Sequence, residues 1–411
     1  MTSPDGTLTR RAALSLLAAG SVELVARPVG AEPARSASPA GGVFVCVFLR
    51  GAADGLNVVV PYTERDYYRL RPTIAVARPG KPHGALDLDG RFGLNPRLAA
   101  LKPAYDAGEI ALVHAVGSSR PTRSHFEAQD AMQTATPGER APRDGFLARA
   151  LAARPASDDA AVRAVAFTER VPLALRGYEP ALSVERLDQL KSFGDPALGD
   201  GFEKLYAAGN APATRSGKRA LAAVGRLQSV AQTSYTPENA ASYEPGARSF
   251  ADVARLIKAD VGLEIAWIDV GGWDTHKYQG GAERGDLPKR LDTLGKALAA
   301  FRADLGARLE HVTVLVMTEF GRTVAENGTG GTDHGAGSVM LVLGGSVRGG
   351  RVYGDFRGLS RDALYEGRDV AATTDYRTVF AEIIRKRLEV RDVSRVFPGY
   401  SPSAPSLGFL D

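Results

Sequence analysis

The sequence predicts an α/β fold: a three-layer sandwich built on a mostly parallel central sheet. Two observations predict it. Six short runs are apolar at successive rather than alternate positions, the pattern of strands covered on both faces. Segments of helical periodicity lie between them, the alternation that builds doubly wound sheets.

In chain order the runs are Val43–Leu49 (VFVCVFL), Ile110–Val116 (IALVHAV), Val162–Phe167 (VRAVAF), Glu264–Val270 (EIAWIDV), Val312–Met317 (VTVLVM) and Val339–Leu343 (VMLVL). Helical patterns cover Asn95–Ala107, His125–Thr134, Gly217–Gln232, Phe250–Ala259, Leu287–Arg308 and Asp375–Arg387. Ser124 and Glu127 form the S-x-x-E signature of a capping box at the start of the second of these. From about 186 to 249 the chain shows helices but no strand and closes on the polar stretch SYTPENAASYEPGARS, which reads as an insertion over the sheet. There is no internal repeat.

Composition narrows the function classes. With 44% hydrophobic and 24% charged residues, 411 residues build a sizeable globular core. The 51 Lys+Arg against 47 Asp+Glu leave a charge of only +4, and no basic run reaches five residues, which excludes nucleic acid as the expected partner. A single cysteine, Cys46, excludes an intramolecular disulfide and any CxxC zinc or redox site. It falls inside the first predicted strand and reads as core. Glycine (46) and proline (24) together make about 17% of the chain against a usual ~12%, so loops are abundant.

The first residues read as an address. Arg10-Arg11 precede an apolar stretch, Ala12–Val25, and Val29-Gly30-Ala31 offers the small-residue pattern of a signal-peptidase site. The segment TRRAAL resembles the twin-arginine export signal. The expectation is a signal peptide over 1–31, a small-residue linker over 32–42 and one α/β domain over 43–411. The twin-arginine export machinery would be a partner, with the mature protein periplasmic or secreted. No later stretch approaches about 18 consecutive apolar residues, so no transmembrane segment is expected in the mature chain.

Open parallel sheets bind ligands beyond the carboxyl ends of their strands, so the residues after each run are the informative ones. VFVCVFL leads to Arg50 and Asp54; IALVHAV to Arg120, Arg123, Ser124 and His125; EIAWIDV to Trp273, Asp274 and His276; VTVLVM to Glu319, Arg322, Asp333 and His334. Asp54, Asp274, His276, Glu319, Asp333 and His334 form an oxygen and nitrogen set without thiolate. Such a set suits Zn²⁺, Mn²⁺, Mg²⁺ or Ca²⁺, as one ion or two. The nearby arginines fit an anionic group through paired hydrogen bonds. Metal-assisted hydrolysis of a phosphate or sulfate ester is the chemistry these groups serve together. Each also has a plainer use: Asp54-Gly55 is a common turn pair, Asp274-Thr275-His276 fits an Asx-turn, and Glu319 and Arg322 fit a pair across a turn. Ser124 is a helix cap by its spacing and, in the positive field of a helix N-terminus, a candidate nucleophile; Thr122 is its rival. His83 lies in a Pro/Gly loop, His114 inside a strand, and His311 at the opposite end of one.

The segments LRGAADGLNVVVPY, TRSHFEAQDAMQ, GGWDTH and MTEFGRTVAENGTGGTDHGAG, followed by VMLVLGG, resemble the bacterial domain-of-unknown-function family numbered 1501. That family is grouped with the alkaline phosphatase/sulfatase-like superfamily. The resemblance implies an alkaline phosphatase-like sandwich with metal sites at the strand ends. Asp54 would be the first-strand metal ligand, Asp274 and His276 an Asp/His ligand pair, His334 the final histidine, and Ser124 the nucleophile at a helix start. One departure stands out. The superfamily usually shows Asp-His-Gly after the strand corresponding to Val312–Met317, and this chain has Glu319-Phe320-Gly321. Either Asp333 substitutes, or one ion binds, or hydrolysis has been lost.

The leading expectation is an exported metal-dependent hydrolase of phosphate or sulfate esters acting on a small-molecule or glycan ester. Asp54, Asp274, His276, Asp333 and His334 would be ligands, Glu319 a further ligand or base, Ser124 the nucleophile, and Arg123 and Arg322 the anion clamp. The competing expectation is a non-catalytic envelope binding protein with a degenerate metal site. It would capture glycan or anionic polymer, with Trp273, Tyr62, Tyr67 and Tyr68 stacking on sugars.

Overall fold

The computed structural model describes residues 42–138, 142–155, 162–192, 212–401 and 406–411. The expected leader, the linker up to residue 41 and residues 193–211 of the expected insertion lie outside them.

Among the described residues nine strands form one sheet: β1 (Val43–Leu49), β2 (Ile110–Gly117), β3 (Ala164–Phe167), β4 (Ala181–Ser183), β5 (Ile265–Val270), β6 (Val312–Met317), β7 (Ser338–Gly344), β8 (Arg351–Tyr353) and β9 (Thr374–Asp375). Their order is β8-β2-β7-β6-β1-β5-β3-β4, with β9 also paired to β2. The six runs read from the sequence are all strands. The three short ones it missed, β4, β8 and β9, hold two or three residues each, too few for a periodicity to register.

β1 shows why its run is apolar throughout. Side chains alternate across a strand, so Val43, Val45, Val47 and Leu49 enter one core while Phe44, Cys46 and Phe48 enter the other. The first core is closed by helices α4 (Arg248–Lys258) and α5 (Asp286–Leu305) through Val253, Leu291, Leu298 and Phe301. The second is closed by α2 (Phe146–Ala152) and α6 (Tyr376–Arg387), where Phe146 and Phe380 stack at 4.7 Å between ring centroids. Three layers result, and Cys46 is buried beside Met317 at 3.9 Å, as core.

Two expectations change in detail. β7 runs antiparallel to both β6 and β2. Its run is apolar because it is central, and the connection from β6 doubles back through a loop over 318–337 rather than crossing over through a helix. The helix expected over Asn95–Ala107 is a 3₁₀ segment, Pro96–Leu101, followed by a short turn of α-helix, Lys102–Asp106, with non-helical angles at Leu98. Pro103 lacks the amide a continuous helix needs and starts the second piece instead.

In the described part of the insertion, α3 (Pro212–Gln232) buries Ala223, Leu227 and Val230 in the first core. The segment after it is fastened to α5 by buried Asp304, which accepts hydrogen bonds from the hydroxyls of Tyr235 and Tyr243 and from the Glu238 amide. None of the contacts of the candidate centre below comes from the described part of this insertion.

The sheet brings four strand exits to one edge. Leu49 is level with Val270, and Phe48 with Met317, in the parallel trio β5-β1-β6. Two successive antiparallel pairings, β6 with β7 and β7 with β2, return the end of β2 to the same edge, where Val116 faces Ser338.

Candidate metal centre

The four exits touch because glycine lets them. Gly51 has φ +117°, and a Cβ there would lie 2.4 Å from the Asp274 amide nitrogen, so only glycine permits the β1 and β5 loops to approach this closely. Gly331 passes under His276 in the same way, with a Cβ 2.3 Å from its carbonyl.

His125 is the first residue of α1 (His125–Thr134). Its Nδ1 lies 2.8 Å from Glu319 Oε1. Glu319 is buried, and the same oxygen accepts from the Gly51 amide and from Gln129 Nε2, both at 2.9 Å. Its other oxygen accepts from the Ala52 amide and the Thr318 hydroxyl, both at 3.0 Å. Burial pushes the Glu319 carboxyl up, but the bonds from Gln129, the backbone amides and His125 outweigh it and hold it below the usual carboxylate range. An ionised carboxylate only accepts, so His125 Nδ1 carries the hydrogen. Its Nε2 then presents a lone pair, and that buried atom has no hydrogen-bond partner among the described residues. It faces Asp274 Oδ2 at 3.5 Å.

The other two imidazoles repeat the arrangement. His276 Nδ1 lies 3.1 Å from Asp333 Oδ1, an oxygen that also accepts from Asn327 Nδ2 at 3.1 Å. The Asn327 bond, with His276 and Arg368 adding to it, keeps the Asp333 carboxyl below its usual range against a mild desolvation. His334 Nδ1 donates to the Arg123 carbonyl at 2.7 Å. Burial, which disfavours the imidazolium, dominates the downward shift of His334; the carbonyl bond opposes it, and His125, Arg322 and His276 add to it. Each Nδ1 is thus tied to an acceptor and each Nε2 is turned inward. His276 Nε2 lies 3.1 Å and His334 Nε2 3.4 Å from Asp274 Oδ1, and the two Nε2 atoms are 2.9 Å apart.

Asp274 is held for this place by Arg322. The buried guanidinium donates to Asp274 Oδ1 at 2.6 Å and to the carbonyls of Ala52 (2.7 Å), Thr332 (3.1 Å), Trp273 (3.2 Å) and Gly51. Burial raises the Asp274 carboxyl, and Arg322, His276 and His125 more than reverse that, leaving it below the ordinary range.

A metal fits three of these residues directly. A tetrahedral ion with ligands at about 2.0–2.2 Å holds them about 3.4 Å apart, and ligand atoms of His125, Asp274 and His334 lie within 4.8 Å of one another. Each candidate imidazole has its far nitrogen anchored on oxygen, as metal-binding histidines almost always do. The side chains of Asp274 and His276 are 44% and 38% exposed, so the centre is open to solvent on one side.

Of the six ligands expected from sequence, the structure brings Asp274, His276 and His334 together. Glu319 and Asp333 stand behind them as anchors of His125 and His276. Asp54 is elsewhere: its buried carboxylate is gripped by Arg71 at 2.5 and 3.0 Å and accepts from Gln279 Nε2 at 2.6 Å. With both oxygens taken by a guanidinium it braces the loops under the centre. The anion clamp also changes. Arg322 is enclosed by carbonyls and Asp274, and Arg123 pairs with Glu366 (2.6 Å) and Asp369 (2.7 Å). Ser124 caps α1 through a long bond from the Glu127 amide, 3.5 Å. The reciprocal half of the capping box is missing, because Glu127 takes the Thr122 hydroxyl instead, at 2.7 Å. Ser124 is nonetheless flanked by the Arg123 carbonyl and His125, both part of the centre. Of the aromatics expected to stack on sugars, Trp273 and Tyr67 are fully buried; Tyr62 and Tyr68 are half-buried, the Tyr62 hydroxyl bonded to Asp87 and the Tyr68 ring covered by Arg78 at 4.1 Å.

His125 is the member that sequence reasoning passed over as a ligand. Its only local signal is its position directly after a capping serine; its anchor, Glu319, is 194 residues away.

A family model described as "Protein of unknown function (DUF1501)" matches residues 43–397. No curated protein matches the chain. Among solved structures, one described as "Structure of PH0037 protein from Pyrococcus horikoshii" aligns over 75% of this chain and 87% of its own, at 13% identity and a TM-score of 0.25. A likeness that low carries no argument.

Proposed function

The chain belongs to that family of proteins of unknown function, and we propose that it is a metal-dependent ester hydrolase whose ion is held by His125, His276, His334 and Asp274. The observation that carries this reading is the common orientation of the three imidazoles, each with Nδ1 on an oxygen and Nε2 toward the same carboxylate. Three neutral nitrogens and one carboxylate favour Zn²⁺, then Mn²⁺, over Mg²⁺ or Ca²⁺, which prefer all-oxygen shells.

A divalent ion there would supply Lewis-acid stabilisation of charge developing on a phosphoryl or sulfuryl oxygen. The chain's own residues do the rest. Glu319 and Asp333 fix the tautomers of His125 and His276, and Arg322 keeps Asp274 ionised and oriented. Ser124, on the positive end of α1 and next to His125, would present its hydroxyl to an ester bound at the open side. The alkaline phosphatase-like grouping belongs to this proposal and is supported by the position of the centre at the strand ends. Phe320 suits it too: its ring lies 5.0 Å from both His125 and His334, packing the imidazoles, while α1 brings in a histidine from elsewhere. Export through the twin-arginine route, to the periplasm or beyond, is supported by Arg10-Arg11 and the apolar stretch after them. Among the described residues, no helix is long and apolar enough to cross a membrane.

Elemental analysis of purified protein tests the core of the proposal, together with hydrolysis of 4-nitrophenyl phosphate and sulfate. About one equivalent of zinc or manganese per chain, and cleavage of one ester that chelation abolishes, is the expected result. A protein that neither contains nor takes up a divalent ion would overturn it.

A further inference from the structure

Beside the centre lies a groove of about 530 Å³ that no expectation from the sequence addressed. That volume is in the range of small-molecule sites, about 300–1,000 Å³. One wall is the loop that carries His276. Tyr278, two residues on, lines the groove, and its amide bonds to the Thr329 carbonyl at 3.1 Å. Thr329, on the same wall, donates its hydroxyl to the His276 carbonyl at 2.7 Å. Two residues of chain span at most about 7 Å, so the groove and the open side of the centre are neighbours on one braced loop.

The groove has an unusual backbone. Tyr278 has φ +50° and His83, also on its lining, φ +53°. Among the described residues these are the only ring side chains in the left-handed region, a conformation histidine adopts more readily than most residues but an outlier for a bulky tyrosine. The Tyr278 ring stands 62% exposed.

The lining chemistry selects a ligand class. His83 Nε2 lies 2.6 Å from Glu283, and Arg284 shares the lining, so one acidic group stands among the basic ones and the groove offers no strong attraction for a polyanion. The rest of the lining is mixed: Thr73, Thr329 and the backbone of Gly280, Gly281 and Gly330 are polar and Ile74, Ala75, Ala77 and Ala282 apolar, a balance that suits an amphipathic ligand better than a lipid chain. An exposed aromatic face set among hydroxyl, carboxylate and peptide groups suits a ligand with a C–H face and a ring of hydroxyls. We propose that this groove is a saccharide subsite, in which Tyr278 stacks on a neutral pyranose and His83–Glu283 and the backbone bind its hydroxyls. Naming the substrate of the adjacent centre as a saccharide ester rests on the hydrolase reading; saccharide binding by the groove does not.

The test is binding of full-length mature protein to an array of neutral and sulfated oligosaccharides, followed by calorimetry with the tightest neutral sugar on the array. Wild-type protein, with or without prior chelation, binds neutral sugars. Tyr278→Ala weakens that binding about ten-fold or more, the loss expected when an aromatic face is removed, and Tyr278→Phe keeps it. Tyr278 is exposed, so both variants should fold, which circular dichroism checks. Absence of neutral-sugar binding by the wild type, or equal binding by Tyr278→Ala, overturns the inference. A chain that holds no metal yet binds sugars through Tyr278 upholds the groove and removes the hydrolase. A metal-loaded, ester-cleaving chain that ignores sugars removes the groove alone.

Discussion

The Nε2 atoms of His276 and His334 stand 2.9 Å apart, both beside one oxygen of Asp274. Each ring already gives its Nδ1 hydrogen away, His276 to Asp333 and His334 to the Arg123 carbonyl. Two lone pairs at that separation repel unless a cation lies against both. The protein therefore holds this pair in a geometry that only a bound cation, a metal or a proton, makes favourable. Adding zinc to chelated protein should raise its melting temperature; at a hundred-fold excess over the dissociation constant the gain is about 2.7 kcal/mol. His334→Ala should lose most of that gain and of the bound metal, whereas His311→Ala, at the other end of the sheet, should lose neither. Identical zinc responses in the wild type and His334→Ala would exclude the centre.

Glu319 separates anchoring from ligation. As an anchor, it acts only through the His125 tautomer, so Glu319→Gln should keep the fold and weaken metal binding about 10–100-fold. Glu319→Ala is a different experiment. It strands the amides of Gly51 and Ala52 and the side-chain nitrogen of Gln129 in a buried place, at about 1–3 kcal/mol for each group left without a partner. Denaturant melts should show the alanine variant strongly destabilised. Unchanged metal affinity in Glu319→Gln would show that His125 needs no anionic partner.

Asp54 distinguishes this centre from one built on a first-strand carboxylate. Its oxygens face Arg71 and Gln279, so Asp54→Asn should bind a full complement of metal while unfolding more easily. Arg71→Ala should be worse, by about 3–5 kcal/mol, because it leaves a buried carboxylate without its countercharge. Metal content measured on Asp54→Asn at a temperature where it is folded decides the matter; loss of the ion there would return Asp54 to the ligand set.

The contrast between Asp54 and His125 shows what the sequence can and cannot reveal. Burial on both faces writes itself into every residue of β1, so the sheet was legible, and the rule that ligands sit at strand ends located the loops. The direction of β7 was not legible, since a central antiparallel strand is as apolar as a parallel one. Nor was the division of labour among polar groups. Asp54 follows a strand and precedes a glycine, as a ligand would, and only the return of Arg71 to the same spot takes its oxygens. His125 looked like an ordinary first residue of a helix because Glu319, which turns its ring, belongs to another strand exit. Pairings of this kind have no period and no fixed spacing.

His114 supplies a pH dependence independent of the centre. It lies within β2, 1% exposed, with its ring against Phe92 and Phe356. Burial lowers its pKa from an ordinary 6.5 to about 3; the bond to the Val59 carbonyl opposes the shift, and Arg91 adds to it. Between those values the unfolded chain takes up a proton that the folded protein refuses. Stability is therefore full above pH 6.5 and falls as the pH drops toward 3, by about 1.4 kcal/mol per unit. Replacing His114 by Gln should flatten this slope, so that the stability lost between pH 6.5 and 5 shrinks by about 2 kcal/mol. Urea melts at the two pH values measure it, and equal slopes in the two proteins would mean that the folded ring accepts its proton after all.

Ser124 is the residue on which the chemical proposal turns, and its weak cap makes it testable. Replacing a capping serine by alanine ordinarily costs about 0.5–2 kcal/mol. The bond from Glu127 is 3.5 Å long, so the cost should fall at the low end of that range and leave the fold and the metal centre intact. A serine that only caps would therefore leave hydrolysis nearly unchanged in Ser124→Ala. A nucleophile would not: the variant should retain its metal and melt within a degree or two of the wild type, yet lose ester cleavage by a factor of about a thousand or more. Thr122→Ala, which removes the neighbouring hydroxyl that bonds to Glu127, is the matched control and should stay active. Full activity in Ser124→Ala would remove the serine from the mechanism and leave the ester's attack to water at the open side of the centre.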